Sequence, residues 1–351
     1  MKIDDIAKLA NVSKGAVSLA LNGKKGVSEE TRNKILKIAA ENGYVSRTLM
    51  KLENHQGNPS KLLRLVACTN GQIVTEHYET LPFFMELIGD INKQISSNGY
   101  SLIISSVDSE NLESEITQLE HTQKSAGILL LGTNLNAAQI SLIANIQPNL
   151  VVLDTCFETL DVNFIVINNV YGAYQAGKYL ASLGHKNIGY VESKTRIYNF
   201  DMRKKGFLQA MSEHDLEIDE QNFFSISPMI LTSQEAFKAL IADRHTALPT
   251  AVFCEADYMA ISVIKSLTEL GINVPEDISV IGFDNIFEAQ VIIPELTTIH
   301  VKKDSLASLA VEKLIGDIDK ENPDKTKLFV NTEIIVRNSC KSLIEDKESS
   351  R

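Results

Sequence analysis

The spacing of hydrophobic positions changes character along this chain, and each change marks an element. Near the start, Ile6, Leu9 and Ala10 recur at helical spacing and predict a short helix with one apolar face. After a break at Asn11-Val12, Ser13 is placed to cap a second helix. That helix carries Ala16, Val17, Ala20 and Leu21 inward and leaves Lys14, Gly15, Ser18 and Asn22 outward. Gly23 and Gly26 break the chain again. Ser28 then caps a third helix, with Ile35, Leu36, Ile38 and Ala39 as its apolar stripe and Gly43 at its end. Residues 1–45 thus read as an all-α, three-helix unit.

Residues 46–61 are polar, with Asn54, Gln56, Gly57, Asn58, Pro59 and Ser60 clustered, and read as a linker. From Leu62 the period shortens to near-continuous apolar runs. Strands are expected at Leu63–Cys68, Leu102–Ser105, Gly127–Leu131 and Leu150–Asp154, separated by helices at Phe83–Ser97, Leu112–Gln123 and Ala137–Ala144. The alternation restarts after Thr159-Leu160-Asp161, with strands Phe164–Ile167, Ile188–Val191, Ala251–Cys254 and Ser279–Phe283. Such alternation indicates two doubly wound parallel sheets. The core is expected over 62–338, with an N-lobe of about 62–160 and 292–328 and a C-lobe of about 161–291 and 329–338. No structure is assigned to the tail, 339–351.

Composition changes one part of this picture. The 351 residues suit two or three domains, and no apolar run approaches the eighteen or so of a membrane span. Cys68, Cys156, Cys254 and Cys340 form no CxxC pair and read as free thiols of a reducing cytoplasm; no metal or cofactor is expected. The acidic, amphipathic start, Met1–Asp5, does not read as a signal peptide. A net charge of −11 argues against nucleic acid, yet residues 1–60 hold ten Lys and Arg against six Asp and Glu. That is +4, leaving −15 for the rest, so only the front of the chain suits phosphate.

Two short helices joined by a turn, the second with small and polar side chains at its outer start, form a helix-turn-helix. Small outward residues let a helix sink into a major groove, where Lys14 and Ser18 can donate to base edges or phosphates. The run Asp5-Ile6-Ala7, Asn11-Val12-Ser13, Ala16-Val17-Ser18, Leu21-Asn22, Val27–Arg32 and Gly43-Tyr44 resembles the headpiece of the LacI/GalR family of bacterial transcription regulators. A second match covers the core: Pro82-Phe83-Phe84, Gly184–Ile188, Arg203–Phe207, Val274–Asn285 and Pro294–Ile299 resemble the family's effector-binding region. The resemblance implies a homodimer on double-stranded operator DNA, with a periplasmic-binding-protein-like core that takes a small effector, a sugar or sugar phosphate. It implies operator contacts from Ser13, Lys14, Gly15, Ala16, Ser18 and Asn22, and a hinge helix whose leucine wedges into the minor groove. The family's Pro-Asn after the tyrosine is Ser46-Arg47 here and its leucine register falls near Glu53, so either Leu49 or Leu52 serves as the wedge or the segment is a flexible tether without one.

In open α/β sheets ligands lie beyond the carboxyl ends of strands. Asp154 and Asp284 each follow a strand directly, and a carboxylate there accepts two hydroxyl hydrogen bonds. Arg203 sits near a helix start, where its donor fork suits hydroxyls. Phe83 and Phe84 offer a ring face, and Tyr198, Asn199 and Phe200 are expected in the loop before Arg203. By resemblance, Arg203 and Asp284 are effector contacts. Structural alternatives remain: Asp284 capping a turn, Arg203 pairing within its lobe, the Phe pair as core, His185 as a helix-end residue and Asp257 as a helix cap. Ala256 replaces a family asparagine, Leu19 a frequent arginine, and Ile293 an arginine of members that use a protein corepressor. Glycine-rich dinucleotide, P-loop, HExxH and nucleophile-elbow motifs are absent, which ranks an enzyme last. A sugar-binding protein without a DNA role and a corepressor-dependent regulator stand as alternatives.

Overall fold

The structure, a computed structural model, describes residues 3–10, 12–21, 27, 28, 31, 34, 35, 38, 61–69, 73–75, 77–242 and 247–344. Met1–Lys61 and Leu62–Arg351 form separate compact units. In the first, α1 (Ile3–Ala10) and α2 (Lys14–Leu21) are joined by a turn in which Val12 N–H donates to the Ala7 carbonyl at 3.0 Å. Ser13 Oγ accepts from Ala16 N–H at 3.2 Å, the expected cap, and Ser28 Oγ accepts from Thr31 N–H at 3.3 Å. Ile6, Ala7, Ala10, Val17 and Ile35 make the core. Leu9, expected inside, is 56% exposed. The buried face runs through positions 6, 7 and 10, and a residue at 9 falls outside it.

The second unit has two six-stranded sheets. The first contains β1 (Leu62–Thr69), β2 (Ser101–Asp108), β3 (Gly127–Leu131), β4 (Leu150–Leu153), β5 (Asn163–Ile167) and β11 (Lys327–Val330), in the order β11-β5-β4-β3-β1-β2 and parallel throughout. The second contains β6 (Ile188–Ser193), β7 (Phe223–Ile226), β8 (Ala251–Cys254), β9 (Ser279–Asp284), β10 (Thr297–His300) and β12 (Glu333–Ile335), in the order β12-β10-β9-β8-β6-β7. There β12 alone is antiparallel. Helices α3 (Pro82–Ser97), α4 (Leu112–Thr122), α5 (Ala137–Ile146) and α10 (Lys303–Ile318) belong with the first sheet. Helices α6 (Asn169–Ser182), α7 (Tyr198–Glu213), α8 (Glu235–Ala242) and α9 (Asp257–Glu269) belong with the second.

The strands read as unbroken apolar runs because both faces are covered. Leu65, Leu129, Val151 and Ile165 enter one hydrophobic cluster, while their neighbours Val66, Ile128, Val152 and Phe164 enter another across the sheet. Two lobe boundaries expected from sequence are corrected by pairing. Strand β5 lies beside β4, with Val152 opposite Phe164, so 163–167 belongs to the first lobe. Strand β10 lies beside β9, so 297–300 belongs to the second. The segment between β4 and β5 carries no helix, so the alternation breaks there although the sheet continues. The chain crosses between lobes at Asn168, at Val301-Lys302 and at Asn331-Thr332.

The tail is also corrected, because Ser339–Ile344 straps the second lobe. Ser339 Oγ donates to the Val280 carbonyl at 2.6 Å and accepts from Thr297 N–H at 2.8 Å, and Leu343 N–H donates to the Leu183 carbonyl at 2.8 Å. His185 bridges Thr250 Oγ1 at 2.9 Å and the Lys341 carbonyl at 3.1 Å, a structural role. The sequence pattern assigns no strand at β7, β10 or β11 and no helix at α8.

Candidate functional site

The carboxyl ends of the two sheets face each other across a cleft, and the side chains there are linked from one lobe to the other. Asp154 follows β4 with φ 67°, and Asp284 ends β9 with φ 120°. Left-handed backbone is tolerated best by Gly, Asn and Asp, and it turns each carboxylate out of its strand line. Thr133, two residues beyond β3, donates to Asp154 Oδ2 at 2.5 Å. Asn199 of the opposite lobe donates to Asp154 Oδ1 at 2.6 Å. Asn169 Nδ2 donates to Asn199 Oδ1 at 2.9 Å, and Arg203 Nε donates to Asn169 Oδ1 at 2.9 Å. The Arg203 fork then reaches the Glu255 carbonyl through Nη1 and Asp284 Oδ1 through Nη2, the latter at 3.0 Å.

Arg203 is placed by backbone packing. A Cβ at Gly206 would overlap the Val170 carbonyl, so α6 and α7 touch main chain to main chain one turn from Arg203. Its guanidinium lies over Phe283, 3.7 Å from the ring centroid, and 5.6 Å from that of Phe200. Phe83 and Phe84 pack edge to face with centroids 5.5 Å apart, and Phe83 N–H donates across the cleft to Tyr258 Oη at 3.1 Å. Ile73, Ile197, Met229 and Ala256 complete a largely apolar wall. The free volume left inside is about 30 Å³, room for water and not for a sugar ring. A larger open groove of about 1000 Å³ runs between α4 and α5 from the turn after β2, and shares no residue with the cleft.

Charge in the cleft is unbalanced. Asp154 and Asp284 are buried there with Asp257 behind them, and among the described residues Arg203 is the one basic side chain lining it. Burial pushes the Asp284 carboxyl up to about 7 against the pull of Arg203, with Asp257 and Asp154 adding to the rise and Lys303 also opposing it. Burial raises Asp257 to about 6, opposed by hydrogen bonds from Thr298 Oγ1 and Ile286 N–H. Asp154 is raised by burial and lowered by Thr133 and Asn199. Lys303 is held by Glu86 at 3.0 Å and donates to the Asp284 carbonyl at 3.2 Å. Arg196 grips the fully buried Glu255 at 2.7 Å, which also accepts from Tyr190 Oη and Ser193 N–H.

Phe83, Phe84, Asp154, Asn199, Phe200, Arg203 and Asp284 therefore share one cavity wall. Tyr198 does not; it packs against the first lobe's outer cluster. Tyr198–Phe200 form the first turn of α7 instead of a loop. Asp257 caps nothing, since it is the first residue of α9 and its carboxylate serves Thr298 and Ile286. The sequence reading missed Thr133, Glu255 and Tyr258 as site groups. The strand-end rule reaches Thr133, whereas Tyr258 on a helix gave no signal. In the headpiece Ser13, Lys14 and Gly15 are exposed and Ala16 is half-buried. Asn22, Leu49 and Leu52 lie outside the described residues, as does the Ser18 side chain.

Among the described residues no helix is long and apolar enough to cross a membrane. Residues 2–47 match bacterial regulatory proteins of the lacI family, and residues 178–340 match a periplasmic binding protein-like domain. The probable HTH-type transcriptional repressor ExuR of Bacillus subtilis is 32% identical over 97% of this chain and 98% of its own. The ribose operon repressor of Haemophilus influenzae is 30% identical over the same shares. A lac repressor dimer bound to operator and the anti-inducer ONPF shares the fold with a TM-score of 0.71 and 20% identity over 97% of this chain and 99% of that one. A transcriptional regulator CelR–cellobiose complex does so with a TM-score of 0.70 and 23% identity over the same shares. With a helix-turn-helix headpiece and a two-lobed core whose cleft is lined by buried carboxylates and one arginine, the chain belongs to the lacI family of bacterial regulatory proteins and is a DNA-binding transcription regulator.

Proposed function

We propose that this protein is a cytoplasmic, homodimeric repressor whose cleft senses a small polyhydroxylated effector and passes that state to operator DNA. The observation that supports this best is the buried chain Thr133–Asp154–Asn199–Asn169–Arg203–Asp284, which joins the lobes through groups that hydroxyls can replace. Effector hydroxyls donate to Asp154 and Asp284, Arg203 and Asn199 answer ring or hydroxyl oxygens, and Phe83, Phe84 or Phe200 covers a sugar face. A cleft with about 30 Å³ free must open to admit such a molecule. The effector therefore acts by binding one lobe arrangement better than the other. The names of two similar proteins agree with a sugar: one is a ribose operon repressor, and CelR holds cellobiose.

On the DNA side, Ser13, Lys14, Gly15, Ala16, Ser18 and Asn22 meet the major groove, and Leu49 or Leu52 supplies a minor-groove wedge. This reading needs no cofactor and treats the cleft as a sensor without catalysis. The test is operator binding by fluorescence anisotropy, with and without a panel of sugars. The expected result is that one sugar shifts the operator Kd and that Arg203→Ala abolishes the shift while leaving binding intact. Failure to bind duplex DNA in every condition, or an undiminished response in Arg203→Ala, overturns the proposal.

A further inference from the structure

We infer that the effector carries no negative charge: the cleft is built for a neutral polyol and excludes sugar phosphates and sugar acids. This rests on reading the cleft as the effector site, and it narrows the sugar or sugar phosphate implied by resemblance. Among the described residues, three cations in or beside the cleft are each paired with a carboxylate of the chain. Arg203 is paired with Asp284 at 3.0 Å, Lys303 with Glu86 at 3.0 Å, and Arg196 with the buried Glu255 at 2.7 Å. Three Arg203 nitrogens already donate to Asn169, Glu255 and Asp284, and one face of the guanidinium lies on Phe283.

The acceptors tell the same story from the other side. Asp154 and Asp284 now receive hydrogen bonds from Thr133, Asn199 and Arg203. A ligand that displaces Asn199 from Asp154 must bring a donor of its own. A hydroxyl can donate, whereas a phosphate dianion or carboxylate group cannot, so the hydroxyls of an acidic sugar would have to take that place and its charge would be left inside a cleft that already holds two carboxylates. Burial raises both aspartates, so the cleft resists negative charge. A further like charge some 6 Å away, at an effective dielectric near 20, weakens binding by a factor on the order of a hundred.

The test titrates the full chain by calorimetry with matched probes. Glucose, galactose and ribose are set against glucose 6-phosphate, ribose 5-phosphate, glucuronate and galacturonate. A neutral sugar is expected to bind at least about 100-fold more tightly than its acidic counterpart, and Asp154→Asn is expected to narrow that gap by a factor on the order of a hundred. Circular dichroism of the variant confirms its fold. An acidic sugar that binds as well as or better than its neutral partner overturns the inference while leaving the sensor reading standing. An unchanged gap in folded Asp154→Asn overturns the electrostatic argument. Silence from every probe, neutral and acidic, sinks the polyol reading and the inference with it.

Discussion

Asp284→Asn separates two accounts of the cleft. If the pair at 3.0 Å between Arg203 and Asp284 were simply a stabilising buried ion pair, neutralising one partner would cost about 3–5 kcal/mol. The cluster argues the reverse, because two buried carboxylates face one guanidinium and the amide still offers Arg203 an acceptor. Holding the Asp284 carboxyl at about 7 instead of the ordinary 3.8 costs the ionised core on the order of 4 kcal/mol at about 1.4 kcal/mol per tenfold. An acid raised in the folded state contributes stability that is complete below 3.8 and lost as pH rises through about 7. Asparagine cannot ionise and escapes that loss. At about 2 °C per kcal/mol for a core of this size, the variant is expected to melt about 8 °C above the parent at pH 8 and about 3 °C above it at pH 5. Calorimetric melts across that range provide the measurement, and effector binding is expected to weaken as stability rises. A lower melting temperature for the variant at pH 8 refutes the reasoning and restores the ion-pair account.

Other expected outcomes follow from single contacts. Gly206→Ala forces α7 off the Val170 carbonyl and is expected to cost at least about 3 kcal/mol, because backbone cannot repack as side chains do; a melting shift under 2 °C contradicts the close approach. Arg64→Met removes the cation that Glu120 pairs with at 2.9 Å, leaving it Ser125 and Gln147 as donors, and takes a donor from Ser105 Oγ and the Gln123 carbonyl; it is expected to cost about 3 kcal/mol in urea unfolding. Lys14→Ala is expected to weaken operator binding and reduce the slope of log K against log salt by about one per subunit; an unchanged slope counts against a phosphate contact.

The alternation of strands and helices was legible because both sheets are covered on both faces, which leaves long apolar runs at Leu129 and Val151 that no solvent-facing strand carries. The two aspartates were legible for a related reason: each stands directly after such a run. Sheet membership was not legible, since Phe164 and Ile299 are equally apolar in either lobe and only pairing distinguishes them. The helical setting of Asn199 is not legible, because nothing local announces a helix start at Tyr198, where Ile197 gives no side-chain cap. The tail escaped because Ser339 and Leu343 bond through backbone and hydroxyl groups to distant strands, a contact without periodicity.

The cross-lobe contacts also set how hard the cleft is to open. Three bonds span it among those described: Asn199 to Asp154, Phe83 N–H to Tyr258, and Lys303 to the Asp284 carbonyl. Neutral hydrogen bonds contribute about 0.5–1.5 kcal/mol each and charged ones about 1.5–3. Together they hold the lobes by only several kcal/mol, against which stands the cost of burying two like charges. A ligand with micromolar affinity brings about 8 kcal/mol. That exceeds what Asn199 and its neighbours supply, so a polyol offering two donors and one acceptor can replace the chain's own latch and bias the lobes. Among the described residues three crossings, at Asn168, Val301-Lys302 and Asn331-Thr332, connect the lobes covalently, which confines the motion to a hinge. The imbalance of charge that makes the closed cleft costly is thus the same feature that lets a neutral ligand control it.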